Sequence, residues 1–347
     1  MATSIGTSAS TQGLGFITTT QKRRRFLRSP LVLHEASPSS SSSEVKTQIE
    51  RLISSLGGNS DDSDDGDDDD ATISKVHIIG TGLSDRASSL PLRTLSVLSR
   101  ADVVLHDALS LPESQIRLVV PDGCIVRSVG KRGDDRPNSV PQSDIDALLL
   151  RYAADDAFRT VVRLKGGDPF LFGRTRTEVD ALRDGGAAYE VTPGLSSCIA
   201  GPHYGGVPLT DPVVGAQSFS VFSGTDARGR GAGRAADDND SSDGGRMIDW
   251  SSLDVDSLVF LMIGRLDKLE ELCGSIGGER GGYRWHGDTP CAVVRSAGRP
   301  LEQRVWRATL STLVGTIRND LGEAAVSISP AVLVVGPTAS LDLLSQT

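Results

Sequence analysis

The residues with the clearest chemical meaning form a glycine-rich loop that also holds an acid. The string Lys165-Gly166-Gly167-Asp168-Pro169-Phe170-Leu171-Phe172-Gly173-Arg174 follows the apolar run Thr160-Val161-Val162-Arg163-Leu164. Glycine lets backbone atoms approach a ligand closely, and an acidic side chain can face the positive groups of that ligand. A tight turn alone would explain the glycines and the proline. It would not explain the entire ten-residue string.

A second glycine loop lies earlier in the chain. Gly80-Thr81-Gly82-Leu83-Ser84-Asp85 follows the strand pattern Lys75-Val76-His77-Ile78-Ile79. Such a loop suits a ligand at the carboxyl end of a parallel strand. It lacks the third glycine of the dinucleotide fingerprint, and Asp85 disfavours a pyrophosphate there. By itself this loop does not identify a ligand.

Alternating strand and helix patterns position both loops. We predict an N-terminal α/β domain over residues 73–189 and a C-terminal α/β domain over residues 190–347. Strands are predicted at residues 75–79, 103–105, 160–164, 219–222, 258–263, 292–294, 304–306 and 331–335, and helices at 92–98, 143–153 and 177–183.

Three segments lack the pattern of a folded domain. Residues 1–34 hold five Lys or Arg and no acid, which is typical of a transit peptide, although a disordered tail without an address is the alternative. Residues 35–72 are rich in Ser and Asp, with a short helical pattern at 45–56, and indicate a disordered linker. Residues 226–249 have no apolar periodicity, so we expect a mobile inserted loop.

Composition argues against several classes of partner. A net charge of -9 without a central basic block argues against nucleic acid. The apolar runs are far shorter than the roughly 20 residues that cross a bilayer, so we expect a soluble protein with no membrane partner. Four cysteines and five histidines show no metal-ligand spacing, and we predict no metal.

The string at 165–174 resembles the tetrapyrrole methylase family, and within it the uroporphyrinogen III C-methyltransferases. Residues 75–337 contain further segments that resemble these enzymes in the same order. The stretch from Val293 to Trp306 looks most like the cyanobacterial version, which together with residues 1–34 favours the plastid stroma over the mitochondrion. The further segments begin at Ala101, Val129, Val140, Pro193, Gly206 and Phe260.

The resemblance implies a two-domain tetrapyrrole methylase fold with cofactor and substrate in the cleft between the domains. It also implies S-adenosylmethionine as methyl donor and a homodimer. The cofactor-binding residues that it implies are Leu83, Gly166, Gly167, Asp168, Leu171, Ser196, Ser197, Met262 and Ala297.

Asp107 and Lys131 match positions that act in relatives as proton acceptor and proton donor. Methylation of a pyrrole carbon leaves a cationic ring that must lose a proton, which a carboxylate can accept. The alternatives are that Asp107 caps an element and that Lys131 pairs with a substrate carboxylate. Because the substrate is rich in carboxylates, the basic candidates for binding it are Lys131, Arg132, Arg163 and Arg174.

The activity implied is methylation of uroporphyrinogen III at two ring carbons to give precorrin-2, in sirohaem biosynthesis. Two alternatives stay open: a related methyltransferase acting on a later corrin or on a non-tetrapyrrole, and a catalytically silent tetrapyrrole-binding protein. The second is motivated by departures from the family pattern at Leu83, Asp211-Pro212 and Thr225.

Overall fold

Two five-stranded sheets follow one another along the chain and carry the structure. The computed structural model describes residues 43–44, 46–48, 51–52, 75–130, 140–224, 248–278, 281–282 and 284–344. The described residues from 43 to 52 are helical, within the segment predicted to be a linker. The transit peptide predicted at residues 1–34 lies outside the described residues, as does nearly all of the predicted loop 226–249.

The first sheet is parallel throughout, as the alternation of strand and helix patterns predicts. Its strand order is β3-β2-β4-β1-β5, so β4 and β1 lie at its centre. The strands are β1 (Lys75–Gly80), β2 (Val103–His106), β3 (Ile125–Ser128), β4 (Thr160–Lys165) and β5 (Ala188–Thr192).

Two strands of this sheet differ from the expectation. β3 was not predicted, because this short edge strand is largely exposed and lacks an apolar run. β5 pairs with β1, so the first sheet continues to Thr192, beyond the domain boundary that the sequence placed at residue 189.

Helices cover both faces of the first sheet, which is the usual arrangement for a parallel sheet. Leu95 and Ile116 pack with Val162 and Leu164 on one face. Ile145 and Leu182 pack against the other face, on the side to which Arg163 and Lys165 also point, because side chains alternate along β4. The helices are α1 (Leu92–Leu98), α2 (Glu113–Ile116), α3 (Gln142–Ala153) and α4 (Thr175–Asp184).

The second sheet has the order β6-β7-β10-β8-β9. β6 and β7 are parallel, and the other neighbours are antiparallel. The strands are β6 (Phe219–Ser223), β7 (Ser257–Arg265), β8 (Pro290–Arg295), β9 (Arg304–Thr309) and β10 (Ser327–Val335), and the helices are α5 (Ser197–Tyr204), α6 (Leu266–Gly277) and α7 (Leu313–Leu321).

The faces of the second sheet differ in what covers them. Leu269 of α6 and Ile317 of α7 join the large apolar cluster on one face. On the other face, Cys198 of α5 packs with Val259 and Val332. Helix α5 therefore connects the second sheet to the loop that leaves β5. No described helix is long and apolar enough to span a membrane.

Candidate active site

The carboxyl ends of the two central strands of the first sheet are joined directly. Thr81 donates its N–H and its hydroxyl to the carbonyl of Lys165, at 2.8 and 3.1 Å. Gly82 and Gly167 exchange backbone hydrogen bonds of 3.2 and 2.8 Å. The two glycine loops found in the sequence therefore form one structural unit.

The loop after β5 packs against this unit without space for a side chain. A Cβ on Gly194 would lie 2.2 Å from the carbonyl oxygen of Gly167 and 2.6 Å from the carbonyl carbon of Gly80. Such distances are far below van der Waals contact. Three loops, following β1, β4 and β5, thus meet backbone to backbone.

Asp168 fastens two of these loops together. Its Oδ1 accepts a hydrogen bond of 2.8 Å from the N–H of Phe170, and its Oδ2 accepts one of 3.2 Å from the N–H of Gly194. The carboxylate is half-buried. Asp168 was predicted to contact the cofactor, and the structure gives it a further task, which is to hold the loop after β5 against its own loop.

The beginning of α5 lies beside the glycine loop. The side chain of Ser196 accepts a hydrogen bond from the N–H of Cys198 and caps the helix. A Cβ on Gly167 would lie 3.9 Å from the N–H nitrogen of Ser197. Farther along the same loop, Leu171 packs against the apolar cluster of the second sheet that includes Leu261. The loop from β4 therefore contacts elements of both sheets.

Two of the predicted residues from the second sheet lie at irregular backbone. Met262 has φ 60°, lies where the pairing of β7 with β10 shifts in register, and is 45% exposed. Ala297 lies between Ser296, with φ 48°, and Gly298, with φ 78°. Non-glycine residues at positive φ are costly and are enriched at functional sites.

The bend after β8 brings Ala297 close to the first glycine loop. A Cβ on Gly298 would lie 3.5 Å from the carbonyl carbon of Leu83 and 3.0 Å from the ring of Tyr204. Gly167 also lies near Ser197, and Leu171 packs with Leu261, so the two glycine loops have neighbours in the elements that follow β5, in β7 and after β8.

Asp107 follows β2 and lies near the same edge of the first sheet. Its Oδ1 accepts a 2.6 Å hydrogen bond from Nη2 of Arg163, and its side chain is 13% exposed. Its backbone carbonyl, rather than its carboxylate, accepts from Ser110 to close the turn. The described contacts therefore do not support the alternative in which the Asp107 side chain caps an element.

Arg163 was predicted to bind a substrate carboxylate, and the structure contradicts this. The residue is completely buried, and its Nε donates to Glu178 at 3.2 Å while Nη2 donates to Asp107. Because both acids neutralise the guanidinium inside the domain, Arg163 supports Asp107 instead of reaching a ligand. The neighbouring carboxylates raise the pKa of Arg163 in spite of its burial.

Glu178 and Lys165 complete this cluster, and sequence reasoning missed both. Nζ of Lys165 lies 2.7 Å from Oε2 of Glu178, and burial lowers the pKa of this lysine. The spacing of these residues in the sequence could have indicated their burial. Arg163 and Lys165 are two residues apart on one strand, and Glu178 precedes the buried Leu182 by one helical turn, so all three were predictable on the core side.

The other basic residues predicted to bind substrate are Arg174, Lys131 and Arg132. Arg174 is exposed, precedes the first residue of α4 and has φ 47°, so its side chain is available to a ligand. Lys131 and Arg132 lie outside the described residues. They follow Gly130 at the end of β3, the neighbour of the strand that leads to Asp107.

One departure from the family pattern is explained by local structure. Asp211 pairs with Ala216 in a short turn, and its Oδ1 accepts hydrogen bonds from Val213 and Val214 at 2.8 and 3.0 Å. This carboxylate is therefore occupied by its own turn. Thr225 lies outside the described residues.

The cysteines and histidines form no ligand cluster in the part of the chain that the structure describes. All four cysteines are buried. Burial raises the pKa of Cys124 to about 11 and that of Cys273 to about 12, so these thiols stay protonated near neutral pH.

Comparison with known proteins shows the family of the chain. Residues 75–314 match the family model described as Tetrapyrrole (Corrin/Porphyrin) Methylases. The chain belongs to the tetrapyrrole methylase family. It is 33% identical to a uroporphyrinogen-III C-methyltransferase of Synechococcus elongatus, over 77% of this chain and 94% of that protein. This confirms the predicted family and its likeness to a cyanobacterial relative.

Two further relatives are a longer protein and a solved crystal structure. A siroheme synthase of Vesicomyosocius okutanii is 30% identical over 78% of the chain, which spans about half of that protein's length. The crystal structure of a uroporphyrin-III C-methyl transferase of Thermus thermophilus, complexed with S-adenyl homocysteine, is similar with a TM-score of 0.56. It is 29% identical over 76% of this chain and 98% of that one. The two-domain α/β fold predicted from the sequence is thus confirmed.

Proposed function

We propose that this tetrapyrrole methylase transfers methyl groups from S-adenosylmethionine to two ring carbons of uroporphyrinogen III, giving precorrin-2 for sirohaem biosynthesis. The observation that carries this proposal is the likeness to the Synechococcus elongatus uroporphyrinogen-III C-methyltransferase along 94% of that enzyme. A second support is the Thermus thermophilus relative, whose complex contains the demethylated form of this methyl donor.

The site is suited to S-adenosylmethionine by its backbone. A Cβ on Gly166 would lie 2.7 Å from the carbonyl oxygen of Leu109, and Gly167 has φ 67°, so both positions suit glycine. Met262, with φ 60°, is 45% exposed and can contact a ligand. When bound, S-adenosylmethionine supplies a methyl group activated by a sulfonium. We assign its binding to Leu83, Gly166, Gly167, Asp168, Leu171, Ser196, Ser197, Met262 and Ala297, in a cleft between the two sheets.

The protein's own contribution to methyl transfer is mainly orientation and removal of water. An in-line displacement requires the ring carbon and the methyl group to be held together, and a fixed site lowers the barrier by limiting their motion. The close packing of the three loops supports such a site, because it limits their motion. Asp107 then accepts the proton that the methylated, cationic ring must lose.

The substrate is an anion that carries many carboxylates, which calls for exposed basic side chains. Arg174 fits this requirement by its exposure. We propose Lys131 and Arg132 as further contacts, because they follow the strand beside Asp107. Lys131 is also our candidate for the proton donor.

Incubation of the full chain with uroporphyrinogen III and S-adenosylmethionine tests the function. We expect two methyl groups per tetrapyrrole, counted by mass spectrometry. Cofactor binding without transfer would indicate a silent binding protein. Transfer only to a later corrin or to a non-tetrapyrrole substrate would indicate a different methyltransferase of this family.

We further propose that the enzyme is a homodimer. Sedimentation of the full chain should give twice the mass of one 36.6 kDa chain. A single-chain mass across the concentrations used for catalysis would overturn this proposal.

Finally, we propose that residues 1–34 direct the protein to the plastid stroma. Their five basic residues and lack of acids support this. A fusion of the full chain to a fluorescent protein should accumulate in plastids, and deletion of residues 1–34 should abolish that accumulation. Fluorescence in mitochondria would contradict the proposal.

A further inference from the structure

Asp107 is the outermost member of a buried group of four charges, which we call the ion network: Asp107, Arg163, Glu178 and Lys165. The side chains of Arg163 and Glu178 are 0% exposed and that of Lys165 is 4% exposed, whereas that of Asp107 is 13% exposed. The formal charges of two acids and two bases cancel. Only the Asp107 end of the network opens appreciably toward the surroundings.

The contacts within the ion network form a series that begins at Lys165 and ends at Asp107. Lys165 holds Oε2 of Glu178 at 2.7 Å, and Oε1 of Glu178 accepts from Nε of Arg163 at 3.2 Å. Nη2 of Arg163 then donates to Oδ1 of Asp107 at 2.6 Å. Because the guanidinium is planar and is held at both Nε and Nη2, its orientation is fixed, and so is the oxygen that it contacts.

The second oxygen of Asp107 is not held in this way. Within the described part of the chain, Oδ2 receives no hydrogen bond, while Oδ1 is engaged by Arg163. Asp107 also lies at the carboxyl edge of the sheet, where its N–H donates to the carbonyl of Leu164, two residues before Gly166. The ion network therefore leaves one carboxylate oxygen for a proton and ties down the other.

Stability alone is a poor explanation for these buried charges. Removing charged groups from water costs free energy, and well-packed apolar side chains of similar volume often stabilise a core as well or better. The strands and helices around the network are already covered by apolar residues such as Ile145, Leu149 and Leu182. The need to hold Asp107 in a fixed position explains why charged residues, and not apolar ones, occupy this place.

We propose that Glu178 and Arg163 are positioning residues for the proton-transfer step, acting only through Asp107. This inference rests on the proposed function. In the methyl transfer that precedes this step, the S–CH₃ bond would break, a bond from the methyl carbon to a ring carbon would form, and the sulfonium would become a thioether. The cationic ring then loses one proton to the fixed Asp107 carboxylate, which restores a neutral ring and gives a carboxylic acid.

A double-mutant cycle between Asp107 and Glu178 tests this inference in the full chain. Asp107→Asn should lower the single-turnover rate of methylated product formation on the order of 100-fold, the scale of a lost general base. Glu178→Gln should lower it on the order of 10-fold by misplacing the carboxylate. If Glu178 acts only through Asp107, then Glu178→Gln should cause no further loss in the Asp107→Asn background.

The matched control is Glu190→Gln. Glu190 is a partly buried acid of the same sheet that pairs with Arg93 and lies 3.5 Å from His77, and it does not contact the ion network among the described residues. This variant should keep the wild-type rate. In Glu178→Gln, S-adenosylmethionine affinity by calorimetry should stay at the wild-type value, which separates positioning from a general loss of the fold.

The outcomes are distinguishable. A wild-type chain that methylates no uroporphyrinogen III refutes the proposed function. A wild-type chain that is active, but in which the losses from Asp107→Asn and Glu178→Gln multiply, refutes the positioning role. An active chain whose rate does not respond to Asp107→Asn also refutes it.

Glu178→Gln leaves two buried cations against one carboxylate and can fail to fold. The double variant Lys165→Met, Glu178→Gln removes one charge of each sign and leaves the Arg163 and Asp107 pair neutral. It should fold and show the same loss of rate, again absent in the Asp107→Asn background. A wild-type rate in this double variant would overturn the proposal.

Discussion

At Asp168 a single carboxylate binds the N–H of its own loop and that of the loop after β5. Asp168→Ala removes both contacts, and the alignment of Gly194 with Gly167 is lost with them. We expect S-adenosylmethionine to bind roughly 10-fold more weakly, which corresponds to about 1.4 kcal/mol, with the fold retained. Calorimetry measures the affinity, and circular dichroism measures the fold.

Asp155, which precedes the same strand, provides a matched control. The side chain of Asp155 also accepts a hydrogen bond from a backbone N–H, that of Ala157 at 3.0 Å, but in a turn that leads into β4 from its opposite end. Asp155→Ala should leave the affinity unchanged. Equal affinities for Asp168→Ala and the wild type would remove Asp168 from the site.

Residue types revealed the site better than they revealed individual roles. The string around Gly166 and Asp168 was identifiable because a simple turn would not account for both its glycines and its acid. Arg163 was misassigned, since a basic residue near a substrate-binding loop looks the same in sequence whether it faces solvent or the interior. Its two acid partners, Asp107 and Glu178, come from distant positions, and only the tertiary structure brings them to it.

At the scale of elements, the junction of the three loops depends on Gly194. In Gly194→Ala the new methyl group would overlap the carbonyl oxygen of Gly167, and backbone cannot move aside as a flexible side chain can. We expect a loss of about 1–3 kcal/mol in the free energy of unfolding, together with weaker cofactor binding. Urea unfolding and calorimetry measure the two effects.

Gly123→Ala provides the comparison, because a Cβ there would meet no atom within 4 Å. Its free energy of unfolding should differ from the wild type by no more than about 0.5 kcal/mol. If the two alanine variants were equally stable, the close packing of the loops would not be important to the fold.

His106, the last residue of β2, makes the stability of the first sheet depend on pH. Burial lowers the pKa of this imidazole below its ordinary value of 6.5. Below that value the unfolded chain binds a proton that the folded chain resists, so the free energy of unfolding falls as the pH falls. At higher pH both states are neutral at this position and the penalty is absent.

His106→Leu should therefore reduce the loss of stability between about pH 7.5 and pH 5.5. The residue is 6% exposed and lies on the same face of β2 as Val104, a member of an apolar cluster, so leucine suits this position. Urea unfolding at the two pH values gives the comparison. A variant with the full acid sensitivity of the wild type would show that other groups are responsible.

Elements were predictable where their apolar pattern was regular. The central strands β1 and β4 and the helix α3 were found within one or two residues of their observed bounds. β3 was missed because an exposed edge strand buries too little to leave a pattern. The assignment of β5 to the first sheet follows from its pairing with β1, which spacing along the chain does not encode.

At the scale of the whole molecule, the described site is built from residues between Gly80 and Gly298. Deletion of residues 1–72 should therefore leave both S-adenosylmethionine affinity and methyl transfer unchanged. The pair formed by Lys46 and Asp122 would be lost, but Asp122 is 98% exposed and such pairs contribute little. A truncated chain with impaired cofactor binding would show that the N-terminal segment takes part in the site.

The proximity of Gly298 to Leu83 has a consequence for synthesis of the chain. The first sheet can complete its hydrogen bonds once Thr192 has left the ribosome, but the bend after β8 is made much later. A nascent or prematurely terminated chain can thus form a folded sheet while its ligand region still lacks one side. Ribosome-bound fragments that end before β8 should be resistant to protease over the first sheet and yet fail to retain the methyl donor.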